Sequence, residues 1–142
     1  LDIERVVWLP IAPTPVDHLA QYAQMDVALD CFPNGGCTTT CEALWMGVPV
    51  ITLTGKSYVS RMSTAVLHGA GLPALCAANE DEYLRIALAQ AENLSWLRQN
   101  RGHWRKQLQQ NQLGDAADLM NHLEASFVDL YRQSAERSLT NA

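Results

Sequence analysis

No apolar run in this sequence approaches the roughly 20 residues that a membrane-spanning helix needs, so no membrane partner is expected. No signal peptide is visible. The chain opens on Leu1 rather than Met, and we expect it to be a piece of a longer protein. Basic charge is scarce. Ten Lys and Arg stand against 15 Asp and Glu, for a net charge of −5. That balance leaves no field to hold a nucleic-acid backbone, and no nucleic-acid partner is expected. Any phosphate site must be local, built from backbone N–H groups and hydroxyls. There is no CxxC pair among Cys31, Cys37, Cys41 and Cys76, and no second His/Cys pair at zinc spacing. The expectation is reduced structural thiols in a cytoplasmic protein, with no metal ion. Neither a Gly-Lys-Ser/Thr P-loop nor GxGxxG occurs, which disfavours a Walker-type NTPase. No internal repeat or low-complexity segment is seen.

What remains is a chain of 142 residues, 48% apolar and 18% charged. That is enough for one globular domain with a real core. Residues 5–10, "RVVWLP", read as a buried strand closed by proline. Residues 11–15 form a loop, and Asp17 can cap a following helix that carries His18, Leu19, Tyr22 and Met25. Residues 27–32 are a second strand, ended by the Pro33-Asn34-Gly35-Gly36 cluster. Residues 38–46 read as a helix with Gly47 beyond it as the C′ residue, and 48–53, "VPVITL", as a third strand. A helix is predicted over 58–68 and a short strand within 72–77. Asn79 and Glu82 form a capping box for a helix to about residue 91. Further helices span 93–109 and 115–133, the last striped by Leu119, Leu123, Phe127, Leu130 and Tyr131. The polar tail, 134–142, is expected to be disordered. Strands alternating with helices imply α/β architecture: a short parallel sheet flanked by helices, with helices at the C-terminus.

The chemistry concentrates in "FPNGGCTTTCEALWMGVPVITL", residues 32–53. In open α/β sheets ligands bind at the carboxyl ends of strands. Here a strand ends in glycines, which let a backbone approach closely, and runs into a helix whose first N–H groups have no internal partners. Together with the helix dipole these favour an anion. A cap needs one threonine, and Thr38, Thr39 and Thr40 supply three hydroxyls. Glu42, in the first turn, suits the dipole, and it could also accept from a sugar hydroxyl.

At "NGGCTTTCEALWMGVPVITL" the sequence resembles the C-terminal catalytic lobe of the O-linked N-acetylglucosamine transferases (SPINDLY-like members included), which carry tetratricopeptide repeats upstream. Plant and bacterial members read close to "NGGTTTCEALWMGVPVVTL". "WLPIAP…HLAQYAQMDVALDCFP" is similar to the family's entry into the lobe, and "GKSYVSRMSTAVLHGAGLPALCA" to its following loop and helix. The resemblance implies the C-terminal Rossmann-like lobe of a GT-B glycosyltransferase, here a single domain over 1–142. It implies a nucleotide sugar, UDP-GlcNAc, as donor and protein Ser/Thr as acceptor, with inversion and with neither cofactor nor metal. An upstream N-terminal catalytic lobe and tetratricopeptide repeats would be its partners. A cytoplasmic, bacterial setting is expected. By the same resemblance Thr38 and Thr39 lie on the diphosphate, Glu42 bonds the ribose, the Ala12 backbone contacts the base, and His18 stands beside the nucleotide; Gly36 and Thr40 join them as nucleotide-binding candidates from the anion-site reading.

The sequence departs from the family at Cys37, where animal members have histidine, and near Thr14, where they have a lysine. No catalytic residue is identified within it. Two other readings stay open: a lobe taking GDP-fucose, and a degenerate lobe serving as a scaffold. Arg61 could reach a phosphate or the acceptor, or only solvent. His68, His103 and His122 read as structural. Trp8, Trp45, Trp96 and Trp104 read as core packing, and Tyr22 as core or helix flank rather than a base-stacking platform.

Overall fold

The structure, a computed structural model, describes residues 2–140. Three parallel strands lie in the order β1 (Ala28–Leu29), β2 (Val50–Leu53), β3 (Cys76–Ala77). Ala28 pairs with Val50, and Thr52 with Cys76. Val50 and Ile51, in the central strand, are both buried. A parallel sheet covered on two faces buries successive residues in this way. The helices are α1 (Pro15–Gln21), α2 (Thr38–Trp45), α3 (Met62–Gly69), α4 (Glu80–Glu92), α5 (Leu94–Gln99), α6 (Arg101–Gln110) and α7 (Ala116–Thr140).

Two apolar clusters hold these layers. The larger joins Leu44, Ile51, Leu67, Ile86, Leu97 and Trp104. The smaller joins Tyr22, Ala43, Val48 and Val50, with Leu19 and Met25 against them. It clamps α1 to α2, so the residues carried by those helices meet at one end of the sheet. Tyr83, on α4, donates to the Asp30 carbonyl at 3.0 Å and ties α4 to the end of β1.

Several expected elements take another form. Residues 5–10 are not a strand. A 3-10 turn, Ile3–Arg5, is followed by extended chain with Val7 78% and Trp8 86% exposed. No described strand receives their ladder bonds, and an apolar run without a partner strand stays in solvent. Thr14, not Asp17, caps α1. Its hydroxyl accepts from the Asp17 N–H at 3.2 Å and donates to the Asp17 carboxylate at 2.6 Å. Pro15 at the helix start has no N–H to satisfy and a preset φ, which moves the cap one place before it. The helix expected over 58–68 begins as a 3-10 turn, Val59–Arg61, and the strand expected within 72–77 shortens to β3 after the turn Pro73–Leu75. The helix expected over 93–109 breaks at Asn100, whose side chain donates to the Trp96 carbonyl and competes with the helical ladder. Of the four tryptophans only Trp104 is buried, and Arg105 lies over the exposed Trp45 ring.

Asn79 caps α4 as expected, with the Glu82 N–H donating to Asn79 Oδ1 at 2.9 Å, but the Glu82 carboxylate accepts from the Ala78 N–H at 2.9 Å, one residue before the cap, rather than from that of Asn79. The segment 134–140, expected to be disordered, continues α7, because no Gly or Pro interrupts it and Ala, Glu and Arg favour helix. Residues 141–142 of that expected tail lie outside the described residues. The α7 stripe is exposed, from 40% at Leu123 to 76% at Tyr131. No described helix is long and apolar enough to cross a membrane.

Gly47 ends α2 at φ +82°, and a Cβ there would lie 2.7 Å from Arg101 Cβ and 2.8 Å from the Arg101 carbonyl oxygen. Gly47→Ala is therefore expected to lose about 2 kcal/mol in denaturant unfolding, from the left-handed backbone and the contact with α6. Gly102→Ala is the control. A Cβ there meets nothing within 4 Å, and up to about 1 kcal/mol of helix propensity is gained.

Candidate functional site

The chain leaves β1 at Asp30, whose N–H bonds the Ile51 carbonyl at 3.0 Å. The Asp30 carboxylate then holds the next loop. Oδ1 accepts from the Gly36 N–H at 2.9 Å, and Oδ2 accepts from the Thr52 hydroxyl at 2.7 Å. From the other side Ser63, on α3, donates to the Gly36 carbonyl at 2.7 Å, and its oxygen lies 3.0 Å from the Thr40 hydroxyl. The Gly35 N–H bonds the Val59 carbonyl at 3.2 Å. These bonds bring the loop down onto the sheet just before α2.

The first turn of α2 is left open. Cys37 stands at the N-cap without a side-chain cap bond. The first amide of this turn to find a partner is that of Cys41, on the Cys37 carbonyl. The N–H groups of residues 37–40 have no acceptor among the described residues. By contrast α1 and α4 are capped by Thr14 and Asn79. Open amides and the dipole together attract negative charge.

The residues marked by sequence divide into two sets. Thr38 and Thr39 are exposed, and their hydroxyls have no protein partner among the described residues. Thr40 is 2% exposed and faces Ser63, so its hydroxyl locks the loop rather than facing solvent. The Gly36 amide is occupied by Asp30, and what Gly36 supplies is space. A Cβ there would lie 2.4 Å from the Thr39 hydroxyl oxygen and 3.0 Å from that of Thr40.

His18 and Glu42, 24 residues apart, come together, with His18 Nε2 3.1 Å from Glu42 Oε2. Tyr22 donates its hydroxyl to the same Oε2 at 3.3 Å and also reaches the Thr39 carbonyl at 3.5 Å. Burial, and then the Glu42 charge, raise the Tyr22 phenol above its ordinary range, so it stays a donor at neutral pH. Ala12 is half-buried in the loop two residues before the α1 cap.

Beyond the amides of α2, the exposed Cys37 borders a groove of about 500 Å³ lined by Tyr58, Arg61, Met62, Ala65 and Leu113. His68, at the end of α3, lines the same groove. Burial, and then the neighbouring Cys37, raise the Cys41 thiol, and burial pushes the Cys76 thiol up to about 11. Among the described residues no three or more His, Cys, Asp or Glu side chains gather as a metal-ligand set. Sequence reasoning passed over Asp30, Ser63 and the bond from Tyr22 to Glu42. The only signal for Tyr22 was its place four residues after His18, on the same face of the helix expected there; in the structure it opens the 3-10 turn Tyr22–Gln24 that follows α1.

Comparison with known proteins bears on this geometry. The model of Glycosyl transferase family 41 matches residues 1–123. The "Probable UDP-N-acetylglucosamine--peptide N-acetylglucosaminyltransferase SPINDLY" of Petunia hybrida is 35% identical over 133 residues, 94% of this chain and 14% of that protein. The UDP-N-acetylglucosamine--peptide N-acetylglucosaminyltransferase of Caenorhabditis elegans is 35% identical over 88 residues, 62% of this chain and 8% of that protein. Among solved structures, a mutant O-GlcNAc transferase of Thermobaculum terrenum superposes with a TM-score of 0.77 at 36% identity, covering 95% of this chain and 26% of that one. The chain thus spans about one seventh of the length of the plant relative, the 14% quoted above.

Proposed function

The chain belongs to glycosyl transferase family 41, and from that membership we propose that it is the nucleotide-sugar-binding lobe of an inverting glycosyltransferase. The donor is UDP-GlcNAc and the acceptor a protein Ser or Thr hydroxyl. The observation that carries this reading is the uncapped first turn of α2, with Thr38 and Thr39 free, set against His18 and Glu42.

In the proposed complex the diphosphate lies on the N–H groups of residues 37–40 and the hydroxyls of Thr38 and Thr39. Glu42 accepts from the ribose, and the uracil sits between the Ala12 backbone and His18. As the bond from the sugar to the diphosphate breaks, negative charge grows on the leaving oxygen. Fixed amide dipoles and hydroxyls already aimed there stabilise that charge without reorganising. This supports transfer without a metal ion. An upstream lobe supplies the group that takes the acceptor proton, and tetratricopeptide repeats precede that lobe. Four free thiols suit a reducing, cytoplasmic setting.

Calorimetric titration of the full-length protein tests the site. UDP is expected to bind and GDP to compete poorly. Thr39→Val should weaken UDP about tenfold, the loss of one hydrogen bond to a charged group. Absence of UDP binding, or UDP binding indifferent to Thr39→Val, refutes the proposed cradle. Equal displacement by GDP refutes the choice of base.

A further inference from the structure

Glu42 is held through one oxygen only. Oε2 receives both His18 Nε2, at 3.1 Å, and the Tyr22 hydroxyl, at 3.3 Å, while Oε1 has no partner among the described residues. The two donors differ in how firmly they are placed. The His18 side chain is 47% exposed. Tyr22 is 8% exposed, its ring packed with Ala43, Val48 and Val50. The His18 ring meets the Tyr22 ring edge-on at 5.8 Å, so the buried tyrosine also backs the histidine. A tyrosine ring held in this apolar cluster cannot follow a moving carboxylate. The carboxylate must come to it.

We propose that Tyr22 is a positioning residue that orients Glu42 with Oε1 free to accept from the ribose hydroxyls, and so makes the lobe select ribonucleotides over deoxyribonucleotides. This rests on the nucleotide-sugar reading above and deepens it. A carboxylate accepts and cannot donate while ionised. With Oε2 saturated by protein donors, the acceptor positions of Oε1 are those left for the sugar. A freely rotating carboxylate would lose side-chain entropy on binding, and one already pinned by a buried phenol loses less. The same hydroxyl lies 3.5 Å from the Thr39 carbonyl, beside the first turn of α2.

The test uses the full-length protein titrated calorimetrically with UDP, 2′-deoxy-UDP and 3′-deoxy-UDP. The wild type is expected to prefer UDP over at least one deoxy analogue by about tenfold, and Glu42→Ala to abolish that preference. Tyr22→Phe keeps the packed ring. It should cut the preference to within about threefold while affinity for the deoxy analogue stays within twofold of wild type. A purely structural role would weaken all three nucleotides together and leave the ratio unchanged. If Glu42→Ala abolishes the preference and Tyr22→Phe retains it, the positioning role is overturned and the nucleotide site stands. If the wild type binds UDP without preference, the Glu42–ribose contact is overturned with it. If UDP does not bind at all, the nucleotide-sugar reading itself falls. A melting temperature for Tyr22→Phe within a few degrees of wild type shows that the comparison is made on folded protein.

Discussion

Gly36→Ala is expected to cut UDP affinity by about 10- to 100-fold while leaving the fold in place. The reason is space, not backbone conformation, because the positive-φ glycines are Gly47 and Gly71. The new methyl would stand 2.4 Å from the Thr39 hydroxyl oxygen, and there are two ways out. Thr39 can rotate about χ1, where a β-branched residue on a helix has few choices, and its hydroxyl then leaves the cradle. Alternatively the loop moves, and the bonds of Gly36 to Asp30 at 2.9 Å and to Ser63 at 2.7 Å are strained or lost. Either path removes one or more hydrogen bonds to a charged ligand, each about 1.5–3 kcal/mol. Calorimetry with UDP reads the loss, and thermal unfolding checks that stability falls by far less than binding. Affinity equal to wild type would show that the diphosphate does not lie on this loop.

The second large effect is on turnover. The isolated 142-residue chain is expected to transfer no detectable GlcNAc to a Ser/Thr peptide, and the full-length protein to transfer it readily. The chain covers 26% of the superposed transferase and 14% of the plant relative. None of its described residues is placed as the base for the acceptor hydroxyl. Its surface supports the same expectation. Val7 and Trp8, Leu29 on β1, and the α7 stripe through Phe127 and Tyr131 are exposed apolar groups. Apolar surface of this extent usually marks an interface, and an upstream lobe is the proposed cover. A mass-spectrometric transfer assay on both proteins measures the difference. Transfer by the isolated chain at a rate near that of the full-length protein would overturn the two-lobe proposal.

Much of this was legible in the order of the residues. Periodicity and punctuation marked α2, the start of α4 and Gly47, because helix spacing, capping pairs and left-handed glycines are properties of a few neighbouring residues. The motif from Asn34 to Leu53 identified the family and directed attention to Thr38, Thr39 and Glu42. Local signals failed where the outcome depends on a distant partner. Residues 5–10 have a strand's composition, but a strand exists only if another strand receives its bonds. Trp8 and the α7 stripe look like core, but burial needs a surface to pack against.

The same distinction runs through the site. Sequence by itself determined that threonines and glycines open a helix at the end of a strand, since that follows from adjacency along the chain. Only the tertiary structure decided which of them face outward. Thr40 turns in to Ser63 and the Gly36 amide to Asp30, while Tyr22 and His18 close on Glu42. The Gly36 bond folds the loop after β1 back on itself, and the others join residues brought together by packing α1, the turn after it, α2 and α3 on the sheet. A hydrogen bond's direction is set by where its partner lies in space, and spacing along the chain carries no record of that.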